Sequence, residues 1–365
     1  MPVARIVLCA CLALLTFAQI GRAQPQPDPL DELSLKEKVG QLVMFSVRGQ
    51  GLTNGERAAI QRHHLGAVIL FANNYSNPTQ LARLTEQIQR TARRANPLRI
   101  GALISVDQEG GIVKRFPDMP PRYSAPEMGR INRKALTYNQ GRDTGGALHR
   151  AGVNVDLAPV ADLDLAPEHV MRSRSFGSNR YRAARLVKAF SKGLQSRKVA
   201  ATLKHFPGLG GGTRNTDFGK SYVRRTRSQL RNIDAVPFHR AIDGGARLVM
   251  VSHAIYPHDG GSRPASLNPF ITKRRLRDGF DFTGVAISDA LGAVAWKFGG
   301  STIKACAGTI RAGVDIALIT GDTSVAGACA RKIRRQVRNN RISQHRIDQA
   351  VERVLELKVW LGLTP

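Results

Sequence analysis

The polar residues that end the short apolar runs of this sequence are of types that can act on a hydroxyl-bearing ligand. Carboxylates accept hydrogen bonds from hydroxyl groups, whereas lysine, arginine and histidine donate hydrogen bonds to hydroxyl oxygens. A carboxylate can also act as a nucleophile or as a general acid or base. The residues of this kind that follow successive apolar runs are Asp107, Glu109, Asp162, Asp164, Lys204, His205, His253 and Asp289.

Eight apolar runs are predicted to be the strands that position these residues. Continuous apolar runs are typical of parallel strands that are buried on both faces. Strands that alternate with helices imply right-handed βαβ units, and eight such units can close into a (β/α)8 TIM barrel. Chemistry in such barrels takes place at the carboxyl ends of the strands, so the polar residues are expected to meet at one rim. The predicted strands cover residues 42–47, 66–71, 102–107, 153–160, 199–206, 247–254, 284–289 and 314–319.

The segments between and after these runs have the patterns of helices. Ser34 and Glu37 have the spacing of a capping box, which predicts a short helix before the first strand. The other predicted helices cover residues 55–63, 78–95, 138–151, 181–198, 229–243, 271–278, 302–312, 325–338 and 343–361.

The N-terminal residues have the features of a secretory signal peptide. An arginine precedes an apolar run over residues 6–18, and small residues follow as far as Ala23, where cleavage is expected. Residues 1–23 are therefore predicted to be a signal peptide, 24–33 an exposed leader and 34–365 one barrel domain. The apolar run is too short for a stable membrane span, and no comparable run follows. We expect a secreted or periplasmic protein with no transmembrane segment.

Two cysteines follow the predicted cleavage site, Cys306 and Cys329. In an oxidising compartment they can form a disulfide, but both lie in Ala-rich helical segments where two buried thiols also fit the sequence. Two cysteines do not predict a metal site, and no metal or organic cofactor is expected.

The chain is strongly basic, with a formal net charge of +28 from 55 Lys and Arg against 27 Asp and Glu. Such a charge raises the question of nucleic acid as a partner. The basic residues are spread over many helices, however, and no zinc-finger spacing or aromatic ribonucleoprotein motif is present. We expect solvated helix faces that associate electrostatically with an anionic cell envelope, and no specific nucleic-acid binding. The sequence does not determine the oligomeric state.

The stretch ATLKHFPGLGGGTRNTDFGKSYV, residues 201–223, joins a predicted strand to a glycine-rich loop. It is not a P-loop, because Arg214 occupies the position that requires the first glycine. It is not a kinase motif either, since no HRD loop or strand lysine accompanies Asp217-Phe218-Gly219. Glycine adopts unusual backbone conformations at little cost, so the loop is expected to move.

Seven motifs together resemble glycoside hydrolase family 3, in its single-domain bacterial β-N-acetylhexosaminidase branch. They occur in the order of that family and cover nearly all of the predicted barrel. The motifs are LISVDQEGG (103–111), APVADL (158–163), RSFGSN (174–179), KHFPG (204–208), PASLNP (264–269), TGVAISDAL (283–291) and AGVDIAL (312–318).

The resemblance implies a role for each of several rim residues. Asp289 matches the catalytic nucleophile of the family, and His253 lies near a position that lines the same pocket. The positions that match hydroxyl-binding residues of the family are Asp107, Arg174, Lys204 and His205. The implied activity is a retaining hydrolase that releases terminal β-linked N-acetylglucosamine through a covalent glycosyl-aspartate, for instance from cell-wall fragments. Such a mechanism requires carboxyl groups and water only.

The chain departs from the family pattern at the general acid/base. Related sequences have a histidine soon after KHFPG and then an Asp-x-His pair, whose histidine moves the proton. Here the two histidine positions are Leu209 and Gly219. Asp217 is therefore the candidate acid, and a carboxyl in this role must stay protonated near neutral pH.

Each of these residues also has a structural interpretation. Asp289 can cap the helix that follows its strand, and Lys204 can neutralise a neighbouring carboxylate. His205 can be a core histidine, and Arg174 can pair with an aspartate such as Asp162. Glu109 and Asp315 are assigned to structural hydrogen bonding.

Three other functions are compatible with the sequence. The first is a β-glucosidase or xylosidase of the same family, which would not require the 2-acetamido group. The second is a protein that binds an aminosugar without hydrolysing it, because a fold can persist without its chemistry. A phosphorylase is disfavoured, since that reaction would benefit particularly from the missing histidine.

Overall fold

A computed structural model of the chain describes residues 30–167, 170–295 and 301–365, so the predicted signal peptide and most of the predicted leader lie outside it. Eight parallel strands in these residues form one sheet. They are β1 (Val43–Ser46), β2 (Ala67–Leu70), β3 (Leu103–Val106), β6 (Val155–Asp156), β7 (Ala200–Phe206), β8 (Leu248–Val251), β9 (Val285–Ser288) and β10 (Ala317–Ile319). Each predicted strand is confirmed.

The sheet curls into a barrel. The strand order is β10-β1-β2-β3-β6-β7-β8-β9, with all neighbours parallel. A parallel bridge between Ile287 and Ile316 joins the two ends of this order. All residues of β2, β3, β8 and β9 are buried, as expected for strands covered by side chains inside and by helices outside.

Helices cover the outside of the barrel, and most begin at a capping side chain. Ser34 and Glu37 form the expected capping box at the first helix. The helices are α1 (Leu35–Gly40), α2 (Asn54–His63), α3 (Pro78–Ala95), α4 (Ala125–Ile131), α5 (Lys134–Arg150), α6 (Arg180–Gln195), α7 (Arg227–Gln229), α8 (Val236–Ile242), α9 (Gly292–Ala295), α10 (Thr302–Ala312), α11 (Thr323–Arg338) and α12 (Gln344–Trp360). No helix among the described residues is both long and apolar enough to cross a membrane.

The structure differs from the sequence predictions in several places, including the short helices α4 and α9, which were not predicted. A two-stranded antiparallel hairpin, β4 (Gln108–Gly110) and β5 (Val113–Lys114), follows β3 and was not predicted. The predicted helix 229–243 is interrupted by a π-helical turn, Leu230–Asp234, before Pro237, which has no N–H to continue the helical bonding. The predicted helix 271–278 is also π-helical, over Phe270–Asp278.

The two cysteines lie on neighbouring helices. Cys306 is on α10 and Cys329 is on α11, and both side chains are buried. They are joined by a disulfide, with their Cα atoms 6.0 Å apart. Of the two states that the sequence allows, the structure has the bridged one.

Candidate active site

The strands bring the expected rim residues to the same end of the barrel. Asp107 directly follows β3, and Asp289 directly follows β9. Lys204 and His205 lie in the last three residues of β7, while His253 comes two residues after β8. The carboxyl ends of parallel strands point the same way, so these side chains share one rim.

Four of the polar residues form a buried network of ion pairs. The Lys204 ammonium lies 2.6 Å from Asp107 Oδ1 and 2.6 Å from Glu109 Oε1. Arg174 donates two hydrogen bonds to Glu109, from Nε at 2.9 Å and from Nη2 at 2.7 Å. The charges of two carboxylates and two basic side chains thus balance each other. The second oxygen of Asp107 lies 3.8 Å from Arg115 Nη2.

This network favours the charged forms of Glu109 and Lys204 although both are buried. Burial works to raise the pKa of Glu109, but the charges and hydrogen bonds of Lys204 and Arg174 lower it to about 2. Burial works to lower the pKa of Lys204, and the charges of Asp107 and Glu109 outweigh that effect and raise it. A sugar that reaches this cluster therefore meets fixed charges that need no reorganisation.

His205 is held by a buried aspartate. Asp162 Oδ2 accepts hydrogen bonds from the backbone N–H of His205, at 3.0 Å, and lies 2.7 Å from its Nδ1. The other oxygen of Asp162 accepts the backbone N–H of Leu209, at 2.7 Å. Asp162 thus orients His205 and the start of the glycine-rich loop. The carboxylate partner of Arg174 is Glu109 and not Asp162.

Asp289 is half-buried at the mouth of the barrel, with Oδ1 accepting the backbone N–H of Ala290 at 2.8 Å. Burial works to raise its pKa, but electrostatic interactions with His253 and His205, the Ala290 N–H and the charge of Lys204 together lower it. His253 is held in turn by the Ala290 carbonyl, 3.0 Å from Nε2, and by Ser266 Oγ, 2.7 Å from Nδ1. The pKa of Asp289 is thus lower than the ordinary value for an aspartate, which favours the ionised carboxylate.

Asp217 stands apart from this cluster. Its side chain is exposed, and its backbone N–H donates to Asn215 Oδ1 at 3.0 Å. In the described part of the chain no hydrogen bond or ion pair joins Asp217 to the other site residues. Its role as the acid stays a prediction, which requires a movement of the loop.

The glycine-rich loop is shaped by close contacts more than by unusual backbone angles. Of its four glycines only Gly208 has a positive φ, at 127°. A Cβ at Gly210 would collide with the carbonyl oxygen of Leu163, and one at Gly212 would lie 2.7 Å from Ser221 Oγ. The expected reason for these glycines, freedom of the backbone, therefore holds for Gly208 only.

Sequence reasoning did not single out Asp156. This carboxyl at the end of β6 is fully buried, and its Oδ1 accepts the N–H of Gln108 at 3.0 Å. Burial raises its pKa well above the ordinary value, with the charges of Asp107 and Glu109 adding to the effect. Asp156 therefore supports the turn that carries Asp107 and Glu109 through its hydrogen bond to Gln108. A lone Asp in the apolar run VNVDL was the signal for it.

The described residues offer no metal centre, since they contain no group of three His, Cys, Asp or Glu side chains that could hold an ion. The site has instead an ionised carboxylate, a histidine pair and a network of paired charges. These groups can bind hydroxyls and can attack an electrophilic carbon.

Comparison with known proteins identifies the class to which this barrel and rim belong. The family description "Glycosyl hydrolase family 3 N terminal domain" matches residues 34–357. The chain belongs to glycoside hydrolase family 3, as its motifs predicted.

Individual relatives agree with this assignment. The chain is 32% identical to the beta-hexosaminidase of Nitrosospira multiformis over 294 residues, which are 78% of this chain and 81% of that protein. It is 30% identical over 354 residues to an uncharacterised secreted glycosyl hydrolase of Arthroderma benhamiae, with 95% and 98% covered. It superposes with a TM-score of 0.87 and 31% identity on the family 3 β-N-acetylglucosaminidase of Paenibacillus sp. str. FPU-7, covering 91% of this chain and 63% of that one.

Proposed function

We propose that the protein is a retaining β-N-acetylhexosaminidase that releases terminal β-linked N-acetylglucosamine. The observation that carries the proposal is Asp289, a carboxylate at the mouth of the barrel whose pKa is lowered by its neighbours, beside a network able to bind hydroxyls. The names of the relatives from Nitrosospira multiformis and Paenibacillus support the choice of an aminosugar.

In the proposed reaction Asp289 attacks the anomeric carbon as the bond to the leaving oxygen breaks. The oxygen takes a proton, and water then hydrolyses the glycosyl-aspartate to free the enzyme. Asp107, Arg174, Lys204 and His205 bind hydroxyls of the terminal sugar, while His253 orients the segment that carries Asp289. Glu109 and Asp162 act on the substrate only through the side chains that they hold.

Asp217 is the proposed proton donor, brought to the site when the glycine-rich loop closes. Its side chain is exposed in the present conformation, so it can reach the leaving oxygen only after the loop moves. Because the histidine of the family pattern is missing, activity should be greatest on leaving groups that need little protonation.

The proposed location is the periplasm or the cell exterior. The predicted signal peptide and the disulfide between Cys306 and Cys329 fit an oxidising compartment, and one relative is named as secreted. The net charge of +28 suits association with an anionic envelope, where cell-wall fragments would be the source of substrate.

The experiment compares release of nitrophenol from the β-N-acetylglucosaminide and from the β-glucoside. Wild type should act mainly on the first substrate, and Asp289→Asn should lose that activity by a factor of about 1,000 or more, since it lacks the nucleophile. Asp143→Asn, a change at an exposed aspartate on α5, serves as the control and should keep full activity. Faster turnover of the glucoside would indicate a β-glucosidase, and no turnover by folded wild type would indicate a sugar-binding protein.

A second comparison tests the acid. Asp217→Asn should retain turnover of an activated aryl glycoside and lose turnover of an N-acetylglucosamine disaccharide, whose leaving oxygen needs a proton. Equal loss on both substrates, or no loss on either, would remove Asp217 from the role of acid.

A further inference from the structure

A second cavity lies beside β7, away from the network of Asp107 and Lys204. It has a volume of about 190 Å³ and lies between the end of β7 and the two π-helical segments. Phe206 and Phe280 form an apolar wall, with their rings edge to face at 5.4 Å. Phe206 also packs on Phe238 of α8, so the cavity is on the side of the strand that the helices cover.

The cavity is strongly cationic. Its lining contains three arginines, Arg227, Arg231 and Arg275, and one carboxylate, Asp259, which gives a formal charge of 3 − 1 = +2. Asp259 is buried, and its Oδ1 accepts hydrogen bonds from Arg227 Nε, at 3.2 Å, and from Arg275 Nη2. One carboxylate oxygen thus serves two guanidinium groups and cannot neutralise both.

Donor groups in the cavity are left over after these contacts. Arg275 Nε is buried and has no hydrogen-bond partner among the described residues. Arg231 is exposed and, in the same part of the chain, has no ion pair with any carboxylate. The nearby Asp234 pairs with Arg225 at 3.0 Å and does not line the cavity.

We propose that this cavity binds a phosphate group, either inorganic phosphate or the phosphate of a monoester. A phosphate carries about −1.5 to −2 charges at pH 7, which matches the formal charge of +2, whereas a carboxylate carries only one. Guanidinium groups bind phosphate oxygens through paired hydrogen bonds. The volume lies below the roughly 300 Å³ at which pockets for larger organic ligands begin, so it suits a small anion.

The test is a calorimetric titration with sodium phosphate at pH 7 and constant ionic strength. Wild type should bind one phosphate per chain saturably. Arg231→Gln should weaken binding by about tenfold or more, because it removes a charged donor. Arg94→Gln removes the same charge from an exposed position on α3, at another side of the barrel, and should leave binding unchanged.

The matched control separates a defined site from general attraction to a basic protein. Equal affinities of Arg231→Gln and wild type would overturn the proposal, because phosphate would then bind elsewhere. Loss of affinity in Arg94→Gln as large as in Arg231→Gln would also overturn it. Arg231 is exposed, so its substitution is not expected to prevent folding.

A parallel titration with glycerol 3-phosphate identifies the source of the phosphate. Binding of both compounds, with the same sensitivity to Arg231→Gln, supports a site for phosphate monoesters. Binding of inorganic phosphate alone supports a site for the free ion. Failure of both to bind saturably overturns the proposal without bearing on the glycosidase reaction.

Discussion

At the scale of single residues, Gly219 stands at the position where the family resemblance predicts a histidine. Gly219 is buried in the loop after β7, and a Cβ there would lie 2.8 Å from Arg214 Nη1 and 2.9 Å from Arg214 Cδ. The Arg214 side chain thus occupies the space that a side chain at position 219 would enter. Its far end is flexible, so the space can be recovered without moving the backbone.

We predict that the double variant Arg214→Ala, Gly219→His gains activity on poor leaving groups. The histidine restores a proton donor at the position where the family pattern has one, and general acid catalysis contributes about 100-fold or more where it operates. Turnover of an N-acetylglucosamine disaccharide should rise at least about tenfold, which steady-state kinetics measures. Arg214→Ala alone is the control, and an equal gain in both variants would contradict the role of the histidine.

At the scale of elements, the start of the loop after β7 is held in place by contacts at Gly210 that leave no room for a side chain. Gly210 lies against the carbonyl oxygen of Leu163, in the segment that also carries Asp162. The backbone N–H groups of Leu165 and Ala166 both donate to the Gly210 carbonyl, at 3.3 and 3.0 Å. The loop is thereby attached to the segment that orients His205.

Gly210→Ala should therefore damage the site more than Gly211→Ala. The added methyl at position 210 meets backbone that cannot yield, whereas at position 211 it meets the flexible Arg225 side chain at 3.2 Å. We expect kcat for the nitrophenyl aminosugar to fall at least about tenfold for Gly210→Ala, because misplaced catalytic groups are costly. Kinetics and thermal unfolding of the two variants check this, and equal effects would contradict it.

The disulfide links α10 to α11 across a separation of 23 residues. Closing a loop of this length restricts the unfolded chain and should add about 3 kcal/mol to the free energy of unfolding. Urea unfolding with and without dithiothreitol measures the contribution. Wild type should lose stability on reduction, while Cys306→Ala, Cys329→Ala should not respond to the reductant. If the reductant leaves the free energy of unfolding of wild type unchanged, the disulfide contributes nothing to stability.

At the scale of the whole molecule, one lysine connects three chain segments at the end of the barrel opposite the site. Lys358 on α12 is fully buried and donates to Gln41 Oε1 at 2.6 Å, to the Gly66 carbonyl at 2.9 Å and to the Gly101 carbonyl at 2.7 Å. These acceptors precede β1, β2 and β3. In the described residues no carboxylate contacts the ammonium, and burial lowers its pKa to about 7.

This lysine should make stability increase with pH above neutrality. Below pH 7 both the folded and the unfolded chain carry the proton, whereas between about 7 and 10.5 only the unfolded chain does. Raising the pH in this window therefore favours the folded state. Urea unfolding should show a positive slope in wild type that is lost in Lys358→Met and kept in Lys36→Met, which changes an exposed lysine. Equal slopes in all three would contradict the prediction.

The sequence alone determined the features that depend on neighbours along the chain. The capping box of Ser34 and Glu37, the helices at 78–95 and 302–312, and the eight buried strands follow from local patterns, and the structure has them. The alternation of these elements also determined the barrel and hence the rim where the polar residues meet. The family could be identified from seven sequence motifs that occur in this chain in the order typical of the family.

Only the tertiary structure decided which side chains pair. Arg174 binds Glu109, 65 residues away, and Asp162 binds His205, 43 residues away. The sequence interpretation names Asp162 as the example of a structural partner for Arg174. The sequence also left undetermined whether the two cysteines are bridged. It predicted neither the position of Arg214 next to Gly219 nor the burial of Asp156. Such contacts depend on how the loops at the rim pack in three dimensions, because residues remote in sequence become neighbours only after the barrel has closed.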